Sequence, residues 1–86
     1  MLASVTTIIR EEKELCLKNV AEIVCTNFGE YKAMVNGRTV LPQRTITFAK
    51  CFWIPHIKLE ITFPRSGTNR YLEISYLVRD DDSNTT

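Results

Sequence analysis

The sequence predicts an α+β fold, in which one N-terminal helix packs on one face of an antiparallel sheet of four or five strands built from hairpins. Two observations predict it. Residues 11–27 carry apolar side chains at helical spacing, whereas residues 31–79 alternate apolar and polar side chains between turn signals. The alternative that remains open is a small all-β sandwich.

The helix over residues 11–27 is predicted from one apolar stripe and from its two ends. The stripe follows the i, i+3, i+4, i+7 spacing and consists of Leu17, Val20, Ala21, Val24 and Phe28. Glutamates at the start suit the helix dipole, and Gly29 can end the helix. The β-branched residues at positions 5–9 favour another interpretation, in which "SVTTIIR" and "KELCLKN" are two strands. We expect the helix, preceded by a short strand over residues 4–9.

The remaining chain predicts two hairpins. Asn36-Gly37 separates two alternating segments, and this pair favours a type I′ turn because both positions need a positive φ. The second hairpin joins "IKLEITF" to "RYLEISYLV", and one register puts their apolar residues on one face. That register pairs Ile61 with Leu72, Leu59 with Ile74 and Ile57 with Tyr76. Strand ends are predicted at Pro42, Pro55 and Pro64, because proline lacks an amide donor.

The stretch "TFAKCFWIPHIKLEITF", residues 47–63, holds the only tryptophan and the only histidine. Alternation places Phe48 and Ile54 toward the core and Trp53 on the opposite face. Lys50 has the parity of the core residues, which indicates a bulge near Ala49.

Size and composition predict one compact domain over residues 1–79, followed by an acidic polar tail, residues 80–86, that we expect to be disordered. The chain has 86 residues, of which 44% are hydrophobic, and a net charge of +1. No apolar run approaches the ~20 residues of a membrane span, so we expect no membrane contact. Three cysteines without a C-x-x-C motif fit reduced thiols and a cytoplasmic location.

The candidate catalytic groups do not form a convincing set, and we expect no enzyme. Glu60 and Glu73 lie opposite each other in the predicted register, but paired glutamates on an exposed strand are usually solvated. Cys51 and His56 are five residues apart, an odd spacing that directs them to opposite faces of a strand.

No metal ion or cofactor is expected either. Cys16 and Cys25 would emerge on opposite sides of the predicted helix, about 13.5 Å apart along its axis. Neither spacing resembles a zinc module, and the three glycines are too dispersed for a phosphate loop.

A basic, aromatic middle is the strongest functional signal. Residues 31–70 hold seven lysines and arginines against one glutamate, between two acidic ends. The candidate binding residues, for a protein partner or a nucleic acid, are Arg38, Arg44, Trp53, Lys58, Arg65, Arg70 and Tyr71.

We therefore predict a small non-catalytic accessory protein that acts through protein–protein contact, in the manner of a protein that covers its partner's site. Homo-oligomer formation through an edge strand is also expected, since nothing in "RYLEISYLV" apart from its charged residues, Arg70 and Glu73, protects an edge. The alternative is a single-stranded nucleic-acid-binding domain that uses the basic aromatic surface of residues 38–70.

Overall fold

The chain forms one antiparallel sheet of six strands. A computed structural model describes residues 2–64 and 69–79, with the backbone alone for residues 2, 49–52 and 79. The strands are β1 (Leu2–Ile9), β2 (Lys13–Asn27), β3 (Ala33–Val35), β4 (Arg38–Val40), β5 (Thr45–Thr62) and β6 (Leu72–Arg79). Their order across the sheet is β1-β6-β2-β5-β3-β4. The described residues form no helix. Among them there is therefore no helix that is long and apolar enough to cross a membrane.

The predicted helix over residues 11–27 is wrong, and with it the α+β fold class. This segment is strand β2, and residues 2–9 before it form strand β1. The two-strand interpretation of "SVTTIIR" and "KELCLKN" is therefore correct for this part of the chain. The molecule is all-β over the described residues, but its six strands belong to one sheet, so the alternative of a small sandwich is not what the structure shows.

Two backbone irregularities explain why β2 has helical spacing. Leu17 belongs to the buried core cluster, and strict alternation would place residues 19 and 21 in that cluster next, although Ala21, which is buried, is not part of it. Asn19 instead adopts a φ of 54°, and the next buried residue is Val20. Glu22 adopts a φ of 52° beside a register shift in the ladder, and Ile23 is buried after it. Each interruption turns a spacing of two into a spacing of three, which in sequence resembles a helix.

The first predicted hairpin is confirmed. β3 and β4 pair antiparallel around Asn36-Gly37, whose φ values are 50° and 80°. Both turn positions are left-handed, as a type I′ turn requires. The Asn36 side chain also accepts a hydrogen bond from the Glu60 amide at 2.7 Å and donates one to the Lys58 carbonyl at 3.2 Å. The hairpin is thereby fixed to β5.

The second predicted hairpin is wrong, although its faces are right. β5 and β6 are not neighbours, because β2 lies between them and pairs with each. The residues assigned to the core, including Leu59, Ile61, Leu72 and Ile74, are nonetheless buried. Alternation fixes the face of a strand, but it carries no information about which strand lies beside it.

The three prolines give a mixed result. Pro42 and Pro64 lie just beyond β4 and β5, as predicted for strand ends. Pro55 lies inside β5, so its assignment as a strand end is wrong. Pro55 lies opposite Asn19 of β2, since Lys18 pairs with His56 and Val20 pairs with Ile54. Asn19 has a left-handed φ, so β2 is irregular at the position where proline has no amide hydrogen to donate.

The bulge predicted near Ala49 is confirmed. The register between β2 and β5 shifts as the ladder passes from Trp53 to Phe48 on β5. Phe48 and Ile54 pack against the core, and Trp53 is half-buried.

The core lies on the inner face of the curled sheet. Its buried hydrophobic residues come from all six strands and the segment after β5, and they are Ile9, Leu17, Val20, Ile23, Cys25, Ala33, Val35, Val40, Leu59, Ile61, Phe63, Leu72 and Ile74. Arg38 closes this face from β4, with its guanidinium 4.8 Å from the centre of the Phe48 ring.

One buried polar residue, Asn27, joins β2 to the neighbouring turns. Its Nδ2 donates hydrogen bonds to the Tyr31 carbonyl at 2.8 Å and to the Val40 carbonyl at 2.9 Å. Its Oδ1 accepts a hydrogen bond from the Gly29 amide at 2.8 Å. The side chain is 0% exposed, so these bonds replace the water that it loses on folding.

Candidate interaction surface

Strand β1 is one edge of the sheet, and within the described residues only β6 pairs with it. All eight of its residues, Leu2 to Ile9, lie in this ladder, which leaves the other side of the strand without a neighbour in the described part of the chain. The sequence "LASVTTII" contains no charged residue and no proline. Edge strands of monomeric proteins are usually short, charged, bulged or interrupted by proline, and β1 is none of these.

The opposite edge, strand β4, is different. It has only three residues, and the first of them is Arg38. A short edge with a cation is a poor template for another strand. Of these two outermost strands in the sheet order, β1 therefore offers the longer and less protected row of backbone groups.

The outer face beside β1 is polar but almost uncharged. The cross-strand register aligns two rows of outward-facing side chains on β1, β6, β2 and β5. These rows are Thr6, Ser75, Val24 and Thr47, and then Ile8, Glu73, Thr26 and Thr45. Hydroxyl pairs bridge the strands, with 3.2 Å between Thr6 Oγ1 and Ser75 Oγ and 3.0 Å between Thr26 Oγ1 and Thr45 Oγ1. Glu73 is the one charged residue in these two rows.

A third row completes this face at the end of β1, and we call it the arginine–aromatic cluster: Arg10, Phe28, Arg70 and Tyr71. Ile9 pairs with Leu72. Arg10 directly follows β1 and Tyr71 directly precedes β6, so the two residues are neighbours at this end of the antiparallel pair. The Arg10 guanidinium lies 4.8 Å from the centre of the Tyr71 ring.

Aromatic contacts hold the rest of the cluster. Phe28 and Tyr71 are in an edge-to-face contact, with ring centres 5.8 Å apart. The Arg70 guanidinium lies 5.2 Å from the centre of the Phe63 ring. Phe28 is 49% exposed, which is unusual for a phenylalanine and makes it part of the surface.

The cluster borders a cavity of about 290 Å³ that is also lined by Gly29, Glu30 and Asn69. Backbone hydrogen bonds hold its walls together, from the Phe28 amide to the Tyr71 carbonyl and from the Glu30 amide to the Asn69 carbonyl. A Cβ at Gly29 would lie 2.5 Å from the Asn69 carbonyl oxygen, so this close approach needs glycine. The cavity is open and mixed in charge, and the arginines can offer donors to a carboxylate or a phosphate.

The structure disperses the seven residues that the sequence marked as a binding surface. Arg70 and Tyr71 lie together in the arginine–aromatic cluster. Lys58, on β5, is near two carboxylates, with its Nζ 3.9 Å from Glu14 Oε2 and 3.7 Å from Glu60 Oε2. Its positive charge is therefore locally compensated.

Three other residues of that set lie elsewhere on the sheet. Arg38 packs over Phe48 on the inner side, and Trp53 is half-buried in the middle of β5. Arg44 is exposed in the turn before β5, where its carbonyl accepts a hydrogen bond from the Asn27 amide at 3.0 Å. Arg65 lies outside the described residues.

The pairs weighed for catalysis are rearranged or lie outside the described residues. Glu60 faces Glu14 across β2 and β5, whereas Glu73 faces Thr26 and Ile8. The predicted pairing of Glu60 with Glu73 is therefore wrong. His56 is exposed in β5, and the Cys51 side chain lies outside the described part.

The described thiols do not combine into a site. Cys16 is exposed, whereas Cys25 is buried in the core. Burial raises the pKa of Cys25 from 9.0 to about 11, an effect that the nearby Arg38 charge partly opposes. Over residues 2–64 and 69–79, no three histidine, cysteine or acidic side chains are grouped in a way that could hold a metal ion.

Sequence reasoning missed Arg10, Phe28 and the edge position of β1. Phe28 was assigned to the buried stripe of a helix, and the N-terminal residues were treated as a minor strand. The signal that could have found β1 is its composition, eight uncharged residues of which the last five in succession are β-branched.

Comparison with known proteins gives no relative: no protein-family model, curated protein or solved structure matches the chain.

Proposed function

We propose that this chain is a small non-catalytic accessory protein that acts by protein–protein contact, and that β1 pairs with an extended segment of its partner. The observation that carries this proposal is the β1 edge, eight residues long, with neither charge nor proline. A strand of the partner can hydrogen-bond to such an edge along its whole length. Contacts of the partner's side chains with the two faces of the sheet then determine which partner sequences bind.

The neighbouring surface supports the same use. The two outer rows beside β1 contain a single charge, so a partner covering them desolvates few charged groups. The arginine–aromatic cluster at the end of β1 supplies arginine and tyrosine, which are enriched among residues that dominate binding energy. Edge and cluster adjoin each other, because Arg10 directly follows Ile9.

The proposal includes a cytoplasmic location. Cys16 and Cys25 are free thiols, and a reducing compartment keeps such thiols unpaired.

The test uses a photo-crosslinking amino acid in place of Thr6, which is exposed on β1. Irradiation of cells that make this variant is expected to attach it to one protein partner. The same residue in place of Thr62, exposed at the far end of β5, is the control and should not yield that product. A partner captured equally from both positions contradicts the assignment of β1.

A pair of matched substitutions then tests the edge itself. Ile8→Lys puts a cation on β1, where Ile8 is 46% exposed, whereas Leu41→Lys makes the same change at a residue that is 53% exposed after β4. Only Ile8→Lys is expected to remove the crosslinked partner, because a lysine on an edge strand opposes the addition of another strand. Equal effects of the two lysines contradict the proposal.

The arginine–aromatic cluster favours a second candidate, binding of single-stranded nucleic acid. Its two guanidinium groups can contact phosphates, and Phe28 and Tyr71 present rings on which bases can stack. The measurement is fluorescence anisotropy of a labelled oligothymidylate at low and moderate salt. Arg10→Gln with Arg70→Gln is expected to weaken binding and flatten its salt dependence by about 0.7 per lost phosphate contact. Arg38→Gln, which changes a residue packed on Phe48, is the control, and absence of binding at low salt rejects this candidate.

A further inference from the structure

We propose that the cavity beside the arginine–aromatic cluster binds one guanine nucleotide. Its phosphate lies on Arg10, its base lies against the Phe28 ring, and the edge of the base faces Glu30 and Asn69. All four residues line this cavity. The inference goes beyond the proposed β1 partner, because its ligand is one nucleotide, either free or part of a single strand. For a strand it rests on the nucleic-acid candidate, to which it adds the base that is recognised.

One continuous ladder places the aromatic and the polar contacts on the same face of the sheet. Just beyond the paired ends of β2 and β6, the Phe28 amide donates a hydrogen bond to the Tyr71 carbonyl at 2.8 Å. Two residues further, the Glu30 amide donates one to the Asn69 carbonyl at 3.1 Å. Phe28 and Glu30 are exposed, whereas Gly29 between them is buried. Alternation therefore puts the two pairs on one face, roughly 7 Å apart along the strands.

The cation that suits a phosphate is Arg10. Its side chain is exposed, and its guanidinium lies 4.8 Å from the centre of the Tyr71 ring. Glu11 and Glu12 follow in sequence but line the neighbouring cavity, and within the described residues neither forms an ion pair with Arg10. The guanidinium can therefore donate parallel hydrogen bonds to two oxygens of one phosphate. Arg70 lines the same cavity and adds a second positive charge.

The exposed aromatic surface suits a flat base. Phe28 is 49% exposed, and its ring makes an angle of 88° with the Tyr71 ring. The two rings therefore do not stack on each other, and Phe28 offers a surface on which a base can stack. The cavity of about 290 Å³ is close to the lower limit for ligand sites, which measure roughly 300–1,000 Å³. That volume suits one small ligand such as a nucleotide.

Glu30 and Asn69 select guanine among the bases. The Watson–Crick edge of guanine presents a ring N–H and an amino group, which are both donors, beside a carbonyl oxygen, which is an acceptor. The Glu30 carboxylate can accept from both donors, and the Asn69 amide can donate to the carbonyl. Adenine has an accepting ring nitrogen where guanine has its N–H, so adenine would face the carboxylate with an acceptor. Base recognition thus gives a function to the carboxylate in a cavity that otherwise suits an anion.

The experiment is isothermal titration calorimetry of the full chain with the 5′-monophosphates of guanosine, inosine and adenosine, with guanosine, and with inorganic phosphate. Guanosine monophosphate should bind most tightly. Inosine monophosphate, which lacks only the amino group, should bind roughly tenfold more weakly, because one hydrogen bond to a carboxylate is lost. Guanosine, which lacks the phosphate, should also bind at least about tenfold more weakly. Inorganic phosphate that binds as tightly as guanosine monophosphate overturns the proposal.

Three variants assign the contacts. Arg10→Gln should weaken binding of guanosine monophosphate at least about tenfold and leave binding of guanosine unchanged. Glu30→Gln should abolish the preference for the guanine nucleotide over the adenine nucleotide. Phe28→Leu should weaken binding of both nucleotides to a similar extent, roughly fivefold or more. Glu12→Gln is the matched control for Glu30→Gln, because this exposed glutamate lines the neighbouring cavity and should leave the preference unchanged.

A second titration separates a free nucleotide from a nucleotide within a strand. Fluorescence anisotropy compares a labelled oligothymidylate with the same strand carrying one deoxyguanosine. If the ligand is part of a strand, the strand with deoxyguanosine binds more tightly, and Glu30→Gln removes the difference. If the ligand is free, guanosine monophosphate binds and the two strands do not differ.

The contrary results also separate the proposals. A chain that binds no guanosine monophosphate up to millimolar concentration and does not distinguish the two strands overturns the guanine site. Binding of the guanine nucleotide that is unaffected by Arg10→Gln, or a base preference that survives Glu30→Gln, overturns it as well. Oligothymidylate that still binds then supports the nucleic-acid candidate, and a protein crosslinked from position 6 still supports the β1 partner.

Discussion

Replacement of Asn27 by alanine should remove a large part of the stability of the fold. The substitution deletes three side-chain hydrogen bonds, to the Tyr31 and Val40 carbonyls and from the Gly29 amide. At about 1 kcal/mol for each bond, the loss is about 3 kcal/mol. The whole chain is expected to be stable by roughly 4–13 kcal/mol, so this single amide accounts for a substantial share.

The assay is urea denaturation followed by tryptophan fluorescence. A loss of about 3 kcal/mol corresponds to a lower midpoint by about 1–3 M urea. Thr26→Ala is the control on the same strand, because it removes an exposed hydrogen bond of 3.0 Å to Thr45. We expect it to cost under about 1 kcal/mol.

A third variant separates hydrogen bonding from packing. Asn27→Leu restores the volume of the side chain but none of its hydrogen bonds, and it leaves the same backbone groups buried without this partner. It should therefore be destabilised at least as much as Asn27→Ala. If Asn27→Leu is as stable as the unmodified chain, the amide does not hold the turns to β2 and the reasoning is refuted.

Two further predictions concern buried positions. Gly29→Ala should destabilise the fold by about 1–3 kcal/mol in the same assay, since its Cβ meets the Asn69 carbonyl at 2.5 Å; a free energy of unfolding equal to that of the unmodified chain contradicts this. For Cys25, burial raises the folded pKa from 9.0 to about 11. The stability that this thiol contributes is then complete below pH 9.0 and is lost as the pH rises through about 11. Denaturation measured against pH should show that loss, Cys25→Ala should remove it, and an identical alkaline profile for the two proteins would exclude it.

The sequence predicts the faces of the strands better than their neighbours. Leu59 and Ile74 are buried as the alternation requires, yet β2 separates their strands. Burial of a strand face depends on local alternation, which each segment displays by itself. Which strands become neighbours depends on contacts between distant segments of the chain. Because residues 11–27 were assigned to a helix, the strand that in fact pairs with both β5 and β6 was left out of the predicted sheet.

That assignment failed for a specific reason. Asn19 and Glu22 adopt left-handed φ angles in the middle of β2, and each shifts the alternation by one residue. Asparagine tolerates this conformation, but a glutamate there is uncommon and gives no signal in the sequence. The β-branched run in residues 5–9 was the better guide, because it reports directly on extended backbone.

The candidate site depended on the same correction. With residues 11–27 as a helix, "RYLEISYLV" is an edge strand and the proposal of self-association falls on β6. In the structure β6 pairs with β1 on one side and with β2 on the other, so it is not an edge strand. The edge strand is β1, which contains no charged residue.

The same change moves the cluster to the edge, since Arg10 and Tyr71 meet only because Ile9 pairs with Leu72. The basic middle of the sequence is therefore a weaker guide to function than the pairing of β1 and β6. The net charge of a segment does not decide where its side chains converge, whereas the strand register does.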